Sequence, residues 1–122
     1  MSLILVVEDD ADINVAIQEV LREEGYSCAA ALTGNEGFRL LVEEEPDLVL
    51  LDLALPGMTG IEFLAHKAAV IAVAEIPVIA MSGLSRVPKQ DKVVAVLRKP
   101  FDLEALVELV GQFAPVEQTE TA

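Results

Sequence analysis

The stretch DLVLLDLALPGMTGIEFL, residues 47–64, decides the architecture. Its first part, Asp47 to Leu51, is a run of strand length that is apolar from Leu48 on and closed by Asp52. A strand that is apolar on both sides must be covered on both sides, as in a parallel sheet lying between two layers of helices. Pro56 and Gly57 mark a turn, and from Thr59 to about Val73 the pattern is helical. The unit is strand, turn and helix, with a carboxylate where the strand ends.

The same unit recurs on either side. Leu3 to Val7 is a second fully apolar run, followed by Glu8, Asp9 and Asp10, which open a helix with Ile13, Ile17, Val20 and Leu21 on one face. Asp10 is a natural N-cap and Gly25 a natural stop. Tyr26 to Ala31 reads as a strand, and Thr33 with Glu36 has the spacing of a capping box for a helix that ends before Pro46. Ile76 to Met81 and Val93 to Leu97 are two further strands. Asp102 caps a last helix carrying Leu103, Leu106, Val107 and Val110 on one face. Between Gly83 and Asp91 there is a proline, Pro88, and little apolar periodicity, so a helix there is at most short or irregular. Strands alternating with helices imply a doubly wound α/β domain of five parallel strands with helices on both faces, whose ligands sit at the carboxyl ends of the strands.

A chain of 122 residues encloses one hydrophobic core, and no second folded unit is expected. The domain is expected over residues 1–114, with 115–122 as a flexible tail or the start of a linker. Hydrophobic residues make up 53%, yet no run of about 18 uninterrupted apolar residues occurs, so no membrane span is expected. The single cysteine, Cys28, reads as a core thiol, and with no secretory signal visible the expected setting is cytoplasmic. A net charge of −13 repels phosphate backbones and anionic lipid, which argues against direct nucleic-acid or membrane binding.

The strand ends carry the chemistry. Glu8 and Asp9 follow the first strand, Asp52 the third, Ser82 the fourth and Lys99 the fifth. Carboxylates converging on one sheet edge repel one another unless a cation intervenes. An all-oxygen donor set without His or Cys suits a hard divalent ion such as Mg²⁺. A carboxylate can attack a phosphoryl group to form an aspartyl phosphate once charge on the transferring oxygens is neutralised. Lys99 supplies a cation for this, Ser82 a hydroxyl, and Gly83 room beside it. Singly, each residue has a plainer explanation: turn formers at Asp52 and Ser82, a solvated Lys99, helix-start acids at Glu8 and Asp9. Together, at the ends of four different strands, they are not explained that way. His66 has no partner at metal-ligand spacing and reads as ordinary.

The segments ILVVEDD, LLDLALPGMTGIEFL, PVIAMSG and RKPF, in this order, resemble the response-regulator receiver domains of two-component signalling, over the chain up to Phe113. The resemblance implies the flavodoxin-like strand order 2-1-3-4-5 and a phospho-accepting switch rather than an enzyme acting on a separate substrate. It implies Asp52 as phospho-acceptor, Asp9 as direct metal ligand with Glu8 as second acid, and the backbone carbonyl of Ala54 completing the Mg²⁺ shell. Ser82 and Lys99 follow the phosphoryl group, and a cis peptide is expected before Pro100. The implied donor is a histidine kinase or a phosphotransfer protein within a phosphorelay, and the implied readout is a conformational change recognised by a downstream protein that the sequence does not name. Two positions depart from the pattern. Val96 stands where an aromatic residue is usual, and the stretch from Ser82 to Lys99 is about one helical turn short. Ala54 and Leu84, two residues beyond Asp52 and Ser82, are apolar where polar side chains can orient water, so slow self-dephosphorylation is expected.

Three other functions compete. A phosphorylation-independent interaction module would keep the fold but has no need of clustered acids. A phosphatase with an aspartyl nucleophile commonly needs a general acid at the position of Ala54, which transfers no proton. A flavin or nucleotide binder needs a phosphate loop after the first strand, where Glu8, Asp9 and Asp10 would repel phosphate.

Overall fold

The structure is a computed structural model and describes residues 2–84, 86, 87 and 89–114. The chain alternates β1 (Leu3–Val7), α1 (Ala11–Glu23), β2 (Ser27–Ala31), α2 (Gly34–Glu44), β3 (Leu48–Asp52), α3 (Gly60–Ala68), β4 (Val78–Ser82), β5 (Val93–Arg98) and α4 (Leu103–Phe113). The strands form one parallel sheet in the order β2-β1-β3-β4-β5, as the resemblance implied.

Period-two alternation divides the core between the two faces of the sheet. Ile4, Val6, Leu48, Leu50, Ile79, Met81 and Leu97 meet Ile17 and Leu21 of α1 and Leu106 and Val110 of α4. Leu5, Val7, Val49, Leu51 and Val78 meet Leu41 of α2 and Phe63 and Leu64 of α3. Each fully buried Leu, Ile or Phe contributes about 1.5–3 kcal/mol of transfer free energy. Phe63 also sets its ring edge-on to Phe38 at 6.0 Å and 86°.

All residues of β3 and β4 are buried, but β2 is half-buried up to Ala31 and β5 alternates exposed positions with half-buried ones and the buried Leu97. Uniform apolarity therefore identifies the strands without distinguishing the central ones from the two edges. Residues 83–92 form no helix among those described, in agreement with the weak periodicity there. A register shift between Val78 and Ile79, which pair with Val93 and Ala95, leaves Val94 outside the β4–β5 pairing.

The caps follow the local chemistry with three corrections. Asp10 caps α1 by accepting from the N–H groups of Asp12 and Ile13, and Gly25 takes the positive φ of 97° that ends it. Only half of the box expected at α2 forms: Thr33 accepts from the Glu36 N–H, while the Glu36 carboxylate turns to the N–H of Leu32. The complete capping box is at α3, between Thr59 and Glu62. This helix stops at Ala68 rather than near Val73, because the chain turns so that Val70 and Val73 pack into the core. Asp102 occupies the N-cap position of α4 but makes no capping hydrogen bond through its side chain. Residues 115–122 lie outside the described residues.

Lys67 is the unexpected resident of the interior. It lies on the inner side of α3, 2% exposed, and its ammonium donates to the carbonyl of Ala74 at 2.9 Å. Burial pushes its pKa down, against the opposing pull of the Asp91 and Glu75 carboxylates. Cys28 is half-buried against the α1–α4 side of the core, with its thiol pKa raised by burial. His66 lies beside the Phe38 ring at 5.9 Å, as an ordinary helix-surface side chain. Among the described residues no helix is long and apolar enough to cross a membrane.

Candidate functional site

Strand order brings the chemistry together. With β1 and β3 adjacent at the centre of the sheet, the residues leaving their carboxyl ends are neighbours. Carboxylate oxygens of Glu8, Asp9 and Asp52 all lie within 4.8 Å of one another. Asp52 is the last residue of β3 and Ser82 the last of β4, each one position earlier relative to its strand than the sequence pattern suggested.

The three consecutive acids after β1 divide their roles. Asp10 is committed to capping α1, and its own N–H donates to Glu8 Oε2 at 3.0 Å. Glu8 is completely buried, whereas Asp9 is exposed. Burial pushes the Glu8 pKa up, and the negative charge of Asp52 adds to the rise, against the opposing hydrogen bonds from Lys99 and the Asp10 N–H.

Lys99 reaches the cluster from two strands away. Its N–H donates to the Ser82 carbonyl at 2.8 Å, extending the β4–β5 ladder by one residue. From there to β3 is two strand spacings, roughly 10 Å, a distance that calls for a long flexible stem. The ammonium bridges Glu8 Oε1 at 2.8 Å and Asp52 Oδ2 at 3.0 Å. Burial disfavours its charge, yet the hydrogen bonds and charges of the two carboxylates outweigh that and raise its pKa above the ordinary lysine value. The Lys99–Pro100 peptide is cis, as expected.

Backbone amides complete the frame. The N–H of Ala54 donates to Asp52 Oδ1 at 2.9 Å, and that of Leu84 to Ser82 Oγ at 3.0 Å. Gly60, at the start of α3, lies so close to β3 that a Cβ there would be 2.5 Å from the Leu53 Cα and 2.9 Å from the Asp52 carbonyl oxygen. No side chain larger than hydrogen fits there without moving the loop that follows Asp52.

Asn14 is a positioning residue that the sequence reading passed over. It is 1% exposed, and its Nδ2 donates to the carbonyls of Glu8 and Ala31, each at 3.0 Å, tying the end of β1 to the end of β2. Gln18 in turn donates to Asn14 Oδ1 at 2.8 Å. The available signal is an amide at position 14 sharing a helix face with Ile17 and Leu21.

The donor set fits a hard divalent cation. It is all oxygen, and one ammonium faces three carboxylates, so the cluster has excess negative charge that a dication would balance.

Comparison with known proteins agrees with this geometry. Residues 4–111 match the response regulator receiver domain family. The chain is 31% identical over 117 residues to sporulation initiation phosphotransferase F of Bacillus subtilis, covering 93% of this chain and 94% of that protein. It spans only 28–54% of three transcriptional regulators that it also matches. Chemotaxis protein CheY4 of Vibrio cholerae has the same fold, with a TM-score of 0.85 at 23% identity, over 93% of this chain and 98% of that one. Response regulator TrrA of Thermotoga maritima, solved in complex with Mg²⁺ and BeF, superposes with a TM-score of 0.80 at 28% identity, over 93% and 99% of the two chains.

Proposed function

This chain belongs to the response regulator receiver domain family, and from that premise we propose that it accepts a phosphoryl group on Asp52 and passes the change to a protein partner as a shift in conformation. The observation that carries the reading is the Lys99 bridge between Glu8 and Asp52, formed at the point where strand order reverses.

Glu8, Asp9, Asp52 and the backbone carbonyl of Ala54 would hold Mg²⁺, which when bound neutralises charge on the carboxylates and on the transferring oxygens. A carboxylate oxygen of Asp52 attacks phosphorus while the bond from phosphorus to the donor's histidine nitrogen breaks. The electron pair returns to the imidazole. The donor is a histidine kinase or a phosphotransfer protein, and the chain acts on no substrate beyond its own Asp52. Lys99 keeps its charge throughout and exchanges part of its contact with Asp52 for a phosphoryl oxygen. Ser82 Oγ, now accepting from the Leu84 N–H, has its own proton to donate to a second oxygen. Movement of Ser82 and Lys99 toward the new charge carries the segments they head and shifts the population that a partner recognises. The setting of this relay is cytoplasmic.

A second reading, an interaction module independent of phosphorylation, draws on Val96, which is 38% exposed where an aromatic residue is usual, and on the lack of a helix among the described residues of 83–92. Intact mass spectrometry after incubation with acetyl phosphate, with and without Mg²⁺, separates the two. The proposed function requires a Mg²⁺-dependent gain of one phosphoryl group that disappears in Asp52→Asn. Absence of any gain transfers the assignment to the second reading.

A further inference from the structure

The charge of the chain is unevenly distributed. Five of its eight Lys and Arg residues, Arg86, Lys89, Lys92, Arg98 and Lys99, fall between Leu84 and Lys99, together with only one of its 21 acidic residues, Asp91. Two of these cations are committed, Lys99 to the Glu8 and Asp52 carboxylates and Lys92 to Glu75 at 2.7 Å. Arg86, Lys89 and Arg98 are exposed and form no ion pair with a described residue.

Arg98 ends an open sheet edge, Lys89 lines the groove along it, and Arg86 adjoins the lining residue Val87 in sequence. Among the described residues β5 has β4 as its one neighbour in the sheet. The Lys99 N–H points to β4, so by the two-residue alternation of a parallel strand the N–H and C=O groups of Val96 and Arg98 point outward. Val94 and Val96 are 40% and 38% exposed. A groove of about 370 Å³ lies along them, lined by Val87, Lys89, Gln90, Val93, Val94 and Val96 among others. Among the described residues of 83–92 there is no helix to cover the groove.

We propose that this edge docks an extended acidic polypeptide of a partner protein, which adds as a sixth strand beside β5. Its main chain pairs with the outward groups of Val96 and Arg98. Its apolar side chains lie on Val94 and Val96, and its carboxylates face Arg86, Lys89 and Arg98. Charge selects this occupant. A second copy pairing β5 to β5 about a two-fold axis would set the same cations against one another. A nucleic acid would have to cross the strongly acidic remainder of the surface. The net charge alone suggests a basic partner, whereas the cations gathered around β5 favour an acidic one.

The probe is a fluorescein-labelled peptide of alternating glutamate and valine, about seven residues long to match a strand, titrated with the full chain by fluorescence anisotropy and without any phosphoryl donor. The outcome is thereby independent of Asp52 chemistry. Binding should weaken several-fold between roughly 50 and 200 mM NaCl, and by at least tenfold in the Arg86→Glu/Lys89→Glu double variant. That variant's unchanged far-UV circular dichroism and thermal melt would show that it folds. Amide exchange at Val96 and Arg98 should slow when the peptide is present. The proposal is overturned if the peptide does not bind, if polyglutamate, a lysine–valine peptide or an oligothymidylate binds as well, if charge reversal leaves affinity unchanged, or if those amides gain no protection.

Discussion

Replacing Asn14 tests whether the acidic cluster depends on a hydrogen-bonded tie behind it. In Asn14→Leu the branched side-chain skeleton is kept, so no cavity opens, but both donations from Nδ2 are lost. The two carbonyls are affected unequally. The Ala31 oxygen still accepts from the Glu8 N–H at 3.1 Å, whereas the Glu8 oxygen has no other hydrogen bond among the described residues. Two neutral hydrogen bonds at about 1 kcal/mol each, plus the cost of a buried acceptor left alone, give a loss of about 2–4 kcal/mol. For a domain whose total stability is roughly 5–15 kcal/mol that is a large share. With a urea slope of roughly 2 kcal/mol per molar it lowers the denaturation midpoint by about 1–2 M. Asn14→Asp, which keeps the shape but presents an acceptor to two carbonyls, should cost at least as much. Gln18→Ala, which removes only the donation to Asn14 Oδ1, should cost about 1 kcal/mol or less. If Asn14→Leu and Asn14→Asp both unfold within about 0.5 kcal/mol of the wild type, below the usual worth of one hydrogen bond, the tie holds nothing.

Three further outcomes are expected. Gly60→Ala forces a Cβ into the Leu53 and Asp52 backbone and should destabilise by about 1–3 kcal/mol in thermal melts while slowing phosphoryl uptake from acetyl phosphate; a variant that melts and reacts like the wild type would contradict the close approach. The buried Lys67 has a pKa depressed below that of the unfolded chain, so its penalty is full below the folded pKa and vanishes above the unfolded one. Lys67→Met should therefore lie within about 1 kcal/mol of the wild type at neutral pH, and the wild type should gain on it as pH rises toward about 10.4; parallel stability curves over that range would show that the buried ammonium carries no penalty. Because Ala54 and Leu84 cannot orient water, Ala54→Asn with Leu84→Glu should shorten the lifetime of the aspartyl phosphate by about tenfold, equivalent to about 1.4 kcal/mol of barrier, as read by mass spectrometry after donor removal; an unchanged lifetime would remove both side chains from the account.

What the chain discloses locally follows from two periods and a set of terminal residue types. Apolar runs from Leu3, Leu48 and Ile76, separated by helical patterns and turn residues, identify the parallel doubly wound sheet, because only strands covered on both faces tolerate such sequences. The positions of Glu8, Asp9, Asp52, Ser82 and Lys99 at strand ends are equally legible, since topology then requires them to share one edge. The capping role of Asp10 is local and legible, while the side-chain cap expected of Asp102 does not form, because cap geometry depends on how the preceding chain enters the helix.

The tertiary structure decides whatever depends on distance between elements. That Glu8 is the buried acid and Asp9 the exposed one, that Asn14 ties β1 to β2, and that Lys67 lies inside the core all depend on which neighbours each side chain meets after the strands are ordered. The same ordering makes β5 an edge, so that an apolar strand no different in sequence from the central ones carries outward-facing amides and exposed valines. Periodicity records which residues prefer burial, but exposure is settled by how many neighbours the sheet supplies, and no local pattern contains that information.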